Sequence, residues 1–196
     1  MSDKYIHSNV EDKIYSYWEK NKLFQPQKNS KKFSVVIPPP NVTGSLHMGH
    51  ALNNSIQDML VRYYRMNSYE TLWQPGTDHA GIATQALVER KLEKENLDKN
   101  TLGRDKFIEK VWDWKNQYGD IIINQLKKLG CSCDWSRNAF TMDENLSKSV
   151  IKVFVELHKK KLIYKAEKLV NWDTVLKTAI SDLEVDQREM NSKIYY

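Results

Sequence analysis

Cysteine is scarce in this chain. Only Cys131 and Cys133 occur among 196 residues, which argues against a disulfide scaffold and fits a reducing cytoplasm. Long apolar runs are also missing: no uncharged segment reaches the roughly 18 residues that mark a membrane-spanning helix. The opening MSDKYIHSNVEDK has no apolar core, so a secretory signal is not expected. There is no internal repeat and no low-complexity tract. What is present is a globular composition, 40% hydrophobic and 28% charged. The length suffices for one large domain, or a domain with an attachment, around a good core. A net charge of +5 permits contact with nucleic acid but does not require it.

The most organised stretch runs from Phe33 to Gly81. Phe33–Ile37 is a short apolar, β-branched run stopped by Pro38, Pro39 and Pro40, which cannot donate to a sheet ladder. It reads as a buried strand entering a loop. A turn-rich link, Asn41-Val42-Thr43-Gly44-Ser45, follows. Leu52, Ile56, Leu60 and Tyr63 then recur at the spacing of one apolar helix face. A second short run, Tyr69–Trp73, halts at Pro75-Gly76. Strand, helix and strand within about forty-five residues match the size of a right-handed βαβ unit with parallel strands. Ligands of such sheets bind beyond the carboxyl ends of the strands, which places Pro38–His50 and Gly76–Gly81 on one rim.

His47 and His50 sit on that rim, at the amino end of the predicted helix. Three residues apart, their imidazoles face one side of the first turn. Unpaired amides and the macrodipole favour an anion there, typically by ~0.3–1 kcal/mol at exposed sites. Gly49 lets a flat ligand approach the backbone. The arrangement suits a triphosphate whose α-phosphorus is under attack, because donors aimed at developing charge are usually the largest catalytic term. Spacing alone leaves two other readings open: a helix cap beside a solvated neighbour, or two zinc ligands awaiting a third.

Elsewhere, Ser8-Asn9-Val10-Glu11 offers a capping box. It is followed by a helical stripe of Val10, Ile14, Tyr17 and Trp18, read as facing the core. Gln25–Lys32 is a polar link. A helix continues after Gly81 to about Glu95, and LDKNTLGR reads as a loop. Arg104–Leu129 carries a long periodic stripe that includes Phe107, Val111, Trp112, Ile122 and Leu126, with Gly130 placed to stop the helix. Thr141-x-x-Glu144 is a second capping box, opening a helix marked by Leu146, Val150, Val153, Phe154 and Leu157. Leu162–Tyr164 and Lys168–Asn171 read as short strands. The order is β-α-β-α-α-α-β, an α/β domain on a parallel sheet.

The wording around the histidines resembles the class I aminoacyl-tRNA synthetases, whose signature is His-x-Gly-His after the first strand. PPPNVTGSLHMGHAL and WQPGTDHAGIATQ are very similar to the valine-specific branch. LGCSCDWSR, FTMDENLSKSV and LVNWDTVLKTAISDLEV resemble the later blocks of that branch, in order. The resemblance implies a Rossmann-like parallel sheet with flanking helices, the first half of a class I catalytic domain. It divides the chain into an N-terminal helix and link (1–32), that half-domain (33–180) and the incomplete start of a proofreading insertion (181–196).

The function implied is ATP-dependent activation of valine to valyl-adenylate, followed by transfer to tRNA(Val), with Mg2+ accompanying the ATP. A soluble monomer is expected. On this resemblance His47 and His50 stabilise the phosphates in the transition state, Gly49 faces adenine, and Thr43 and Gly44 shape the phosphate approach. Asp78 pairs with the substrate ammonium through a charge-assisted bond, and Asn41 adds an acceptor. Pro38 and Pro39 wall a small apolar pocket. For Asp78 the residues alone leave equal room for an N-cap before Ala80-Gly81. His79 is open between substrate contact and packing.

Such a pocket rejects an isosteric hydroxyl poorly, a limit for which valine against threonine is a standard example; hence the proofreading domain. The Lys-Met-Ser-Lys-Ser-type loop of the family is not found here, so this chain alone is expected to be inactive. Asn145-Leu146-Ser147-Lys148-Ser149 mimics that loop but lies in a helical stripe and is read as structural. Cys131-x-Cys133 lacks further ligands for a closed zinc site, so zinc is not expected. Thr174 replaces a proline common in the family. Three alternatives remain: an isoleucine or leucine enzyme of the class, a small nucleotidyltransferase with the same histidine motif, or a non-catalytic remnant that keeps the fold.

Overall fold

The computed structural model describes residues 4–194, so the outermost residues of the expected segments 1–32 and 181–196 lie outside it. The chain forms two compact units divided between Ser149 and Val150. In the first, the elements run α1 (His7–Lys20), β1 (Lys32–Val36), α2 (Met48–Met66), β2 (Glu70–Gln74), β3 (Gly76–Thr77), α3 (Gly81–Lys94), α4 (Lys99–Leu102), α5 (Arg104–Lys128) and β4 (Ala139–Phe140). α6 (Glu144–Lys159) carries the chain into the second unit, where β5 (Asn171–Asp173) and β6 (Thr178–Ile180) form an antiparallel hairpin.

β1 and β2 are parallel, paired from Lys32–Glu70 to Val36–Gln74. The βαβ expectation therefore holds. Pro75 has no amide hydrogen and interrupts the ladder. Past it the path 76–78 pairs on two sides. Gly76 and Thr77 run parallel to Ala139 and Phe140. Asp78 donates its N–H to Pro40 O at 2.8 Å, and Val42 N donates to Asp78 O at 3.0 Å. Gly76 is required there, since a Cβ would stand 2.9 Å from Ala139 O. The core gathers Ile37, Val42, Val61, Trp73, Ile122, Leu126, Cys131, Cys133 and Phe140. Burial raises the pKa of both thiols, Cys131 to about 12, so they pack as small apolar groups.

Several sequence expectations need correction. α2 turns Leu52, Ile56, Leu60 and Tyr63 outward; Leu52 is 66% exposed and Tyr63 55%. Its inner face is Asn54, Gln57, Asp58, Val61 and Arg65, and the polar members other than Asn54 bond to distant parts of the chain. Gln57 Oε1 accepts from Trp73 Nε1, Asp58 Oδ1 accepts from Ser132 N, and Arg65 donates to Phe24 O and Ser132 O. In α1, Tyr17 points outward, whereas Tyr15 and Trp18 pack with Phe24. Ser8 is inside that helix, whose N-cap is Ile6 without a side-chain bond, so the first capping box does not form.

The second capping box fails too, because the Thr141 hydroxyl is engaged by Asp78 and His79. LDKNTLGR is not all loop: Asp98 caps the short α4 with bonds from Asn100 N and Thr101 N. Leu162–Tyr164 is not a strand, and the hairpin begins at Asn171 rather than Lys168. The long periodic stripe does form α5, and Gly130 follows it at φ +85°, as a helix stop requires. Asn145–Ser149 lies within α6. Among the described residues no helix is long and apolar enough to cross a membrane.

Candidate active site

The rim is built where β1 runs into the prolines and α2 begins. The loop between them is held from three sides. Val42 is buried and its carbonyl accepts from Trp114 Nε1 at 2.9 Å. Leu46 N donates to Gln125 Oε1 at 2.8 Å. Asp78 supplies the backbone pairing described above. Neither Trp114 nor Gln125 stands out in the sequence, because each acts from α5 across more than seventy residues.

This anchoring leaves an open cavity of about 500 Å³ between the proline loop and the first two turns of α2. Of the residues expected to form the site, Pro38, Pro39, Asn41, Thr43, His47, Gly49 and His50 line it. Gly44 and Asp78 do not. Gly44 sits beside Thr43 with open space where a side chain would project. Pro40, Asn53 and Asn54 join the lining without a sequence signal of their own. A second cavity, of about 540 Å³ between α1 and α5, is lined by Tyr5, Tyr15, Trp18 and Lys127 among others, away from the histidines.

The two imidazoles complete the helix mouth reciprocally. His47 is the N-cap, and its Nδ1 accepts from Gly49 N at 3.1 Å. His50 Nδ1 accepts from His47 N at 3.2 Å. The rings lie 4.0 Å apart. A ring nitrogen that accepts carries no proton, so in both rings the proton belongs on Nε2. The capping reading and the anion-site reading are therefore compatible: Nδ1 serves the backbone and Nε2–H serves the cavity. Partial burial, and then the neighbouring His47, hold the His50 pKa below its ordinary value, which keeps this ring neutral.

Gly49 has a second duty that spacing did not show. A Cβ there would stand 2.9 Å from Cε1 of the His47 ring, so the glycine makes room for the capping imidazole itself.

Asp78 is one-third exposed and is organised from below. Thr141 Oγ1 donates to its Oδ1 at 3.0 Å, and His79 Nδ1 lies 3.3 Å away. The same hydroxyl accepts from His79 N at 2.9 Å. His79 thus packs and bonds within the rim, its ring edge-on to Phe140. Asp78 is no N-cap: α3 opens from Ala80 in the left-handed region, φ 45°, without a side-chain cap. Among the described residues no group of three His, Cys, Asp or Glu side chains is placed to hold a metal ion.

A family model described as tRNA synthetases class I (I, L, M and V) matches residues 13–196. The valine–tRNA ligase of Pelagibacter ubique is 85% identical over 195 residues, covering 100% of this chain and 22% of that protein. The valine–tRNA ligase of Bdellovibrio bacteriovorus is 57% identical over 198 residues, again covering 100% and 22%. This chain spans about a fifth of the length of these relatives. Among solved structures, LeuRS from Agrobacterium radiobacter, in a ternary complex with tRNA and LeuAMS, matches with a TM-score of 0.76 at 24% identity. The match covers 91% of this chain and 21% of that one, a likeness of fold. With the parallel βαβ unit and the paired histidines at its helix mouth, the chain belongs to the class I tRNA synthetases of the isoleucine, leucine, methionine and valine group.

Proposed function

We propose that this segment forms the half of a valine–tRNA ligase active site that receives ATP and valine. The observation that carries the reading is the helix mouth, where two imidazoles that line the cavity give their Nδ1 atoms to backbone amides, which leaves Nε2–H for a ligand. Two neutral donors above a helix N-terminus can follow charge as it grows on the α-phosphate, without first being desolvated as cations. His47 and His50 have that role here. Thr43 and Gly44 lie on the phosphate approach, and the bare backbone at Gly49 accepts the flat base.

Valine sits beside the prolines. Pro38 and Pro39 have no N–H to leave unpaired against an aliphatic side chain. Asn41 offers an acceptor. Asp78, oriented by Thr141, pairs with the ammonium. It lies one backbone pairing from Asn41, at the edge of the cavity rather than in its lining. Mg2+ would arrive bound to the nucleotide and offset part of its phosphate charge. The valine carboxylate attacks the α-phosphorus, pyrophosphate leaves, and the valyl group passes to the terminal ribose of tRNA(Val). Positioning and charge stabilisation do the work, with no enzyme nucleophile.

The 85% and 57% identical valine enzymes support the choice of valine over isoleucine or leucine. Residues 181–196 are read as the root of a proofreading insertion, and the two buried, unpaired thiols suit a reducing cytoplasm. The test is valine-dependent exchange of pyrophosphate into ATP by the full-length protein carrying this segment. Exchange driven by valine well above isoleucine and leucine is expected; exchange driven by another amino acid, or none, overturns the reading.

A further inference from the structure

One side chain in the lining does not belong to any role above. Asn54 lies one helical turn beyond His50, is 3% exposed, and lines the cavity. Its amide nitrogen donates to His50 O at 2.8 Å, which fixes which end of the amide is nitrogen. Its Oδ1 is buried and has no hydrogen-bond partner among the described residues. A buried acceptor left unmade costs about 1–3 kcal/mol, and nearly all such groups in folded proteins have partners. On the same inner face of α2, Gln57 and Asp58 each accept a bond from a distant residue. Arg65 Nε is also buried without a partner among the described residues, but it is a donor and does not line the cavity.

From this we infer that Asn54 is a positioning residue of the site, whose Oδ1 receives an N–H or O–H from the ligand filling the cavity. The inference rests on the cavity being the ATP and valine site. The chemistry narrows what Asn54 can meet. Phosphate oxygens only accept, so the triphosphate cannot satisfy Oδ1. A hydroxyl or amine can: the ribose or adenine of the nucleotide, or the ammonium of the amino acid. The site then has two halves of opposite hydrogen-bonding sense, imidazole donors for the phosphates and a carboxamide acceptor for a neighbouring donor group. Hydropathy gives no hint of this, since Asn54 is one polar residue in a helix whose apolar stripe faces out.

The test compares Asn54→Ser and Asn54→Ala in the full-length protein by pyrophosphate exchange, titrating ATP and valine separately, with thermal midpoints alongside. A serine hydroxyl can still donate to the carbonyl four residues back, as the asparagine amide does, but it does not reach the position of Oδ1. The expected result is a KM raised on the order of tenfold in both variants for one substrate only. A change for ATP assigns the donor to the nucleotide, and a change for valine assigns it to the ammonium. Only the alanine variant should also lose thermal stability. Unchanged KM for both substrates in Asn54→Ser overturns the inference and leaves Oδ1 to a buried water. Equal rises for both substrates that track a lowered thermal midpoint overturn it as well, because they mark a structural role. Absence of exchange in the unsubstituted protein would instead sink the functional reading beneath it.

Discussion

The two faces of α2 follow opposite rules. The inner face is mostly polar and its residues bond across the fold: Gln57 to Trp73, Asp58 to Ser132, Arg65 to Phe24 and Ser132. Among the described residues Asn54 Oδ1 and Arg65 Nε are left unmatched. The outer face carries Leu52, Ile56, Met59, Tyr63 and Met66 at heptad-like spacing, yet Met59 is 61% and Met66 78% exposed. In this chain, burial along the helix follows available hydrogen-bond partners rather than hydropathy. The partners are Trp73 on β2, Ser132 and Phe24, which the chain brings together only after it has folded.

Four substitutions or conditions sharpen that contrast. On the inner face, Arg65→Ala leaves two carbonyls and the Ser132 hydroxyl without their donor. Hydrogen bonds from charged groups contribute about 1.5–3 kcal/mol each, so a loss of about 2–3 kcal/mol is expected in urea unfolding of this chain. A loss below that range would mean water replaces the guanidinium at no cost.

At the helix mouth, Gly49→Ala should destabilise by about 1–2 kcal/mol, the worth of an N-cap. Elsewhere in a helix the same change usually helps. The sign reverses here because the new Cβ displaces the His47 ring. A more stable variant would show that the ring does not cap.

The third effect is a pH dependence. His50 is harder to protonate folded than unfolded, so its contribution is fully present above the unfolded value near pH ~6.5 and is lost as pH falls toward the lower folded value. Thermal midpoints should fall between pH 7 and pH 5, and fall less in His50→Gln. Identical slopes in the two proteins would refute the capping assignment of its Nδ1. Smallest of all, Ile56→Ser on the outer face should change the stability of this chain by no more than about 0.5 kcal/mol. A larger loss would mean that this stripe is covered.

How much could be read in advance depends on how local each interaction is. β1 as a strand, the proline stop, β2 and the histidines at the start of α2 were legible, because strand pattern, missing amides and helix termini are properties of neighbouring residues. The expected burial of β1 was not met, since its residues alternate and Val36 is exposed. So were α5 and its stop at Gly130. The inner face of α2 was not, since a hydrophobic period of 3.6 assigns Leu52, Ile56, Leu60 and Tyr63 to the core and cannot see Ser132. The second capping box failed for a related reason: Thr141 fits the local pattern, but Asp78 and His79 engage its hydroxyl across more than sixty residues. The first failed locally, because α1 starts before Ser8. In the site, His47, Gly49, His50, Asn41, Thr43 and the two prolines come together as expected, while Asp78 stands at the edge and Gly44 aside. Asn54 was invisible because its importance is an unmet bond, which only a folded chain can show.

The account turns on the paired imidazoles acting as donors to phosphate as its charge builds. The most direct measurement is His50→Ala in the full-length protein, with turnover in valine-dependent pyrophosphate exchange and valine affinity recorded separately. A loss of donor in the transition state predicts turnover lower by about 10²–10³-fold with valine affinity nearly unchanged. Equal losses in turnover and in valine affinity would contradict it.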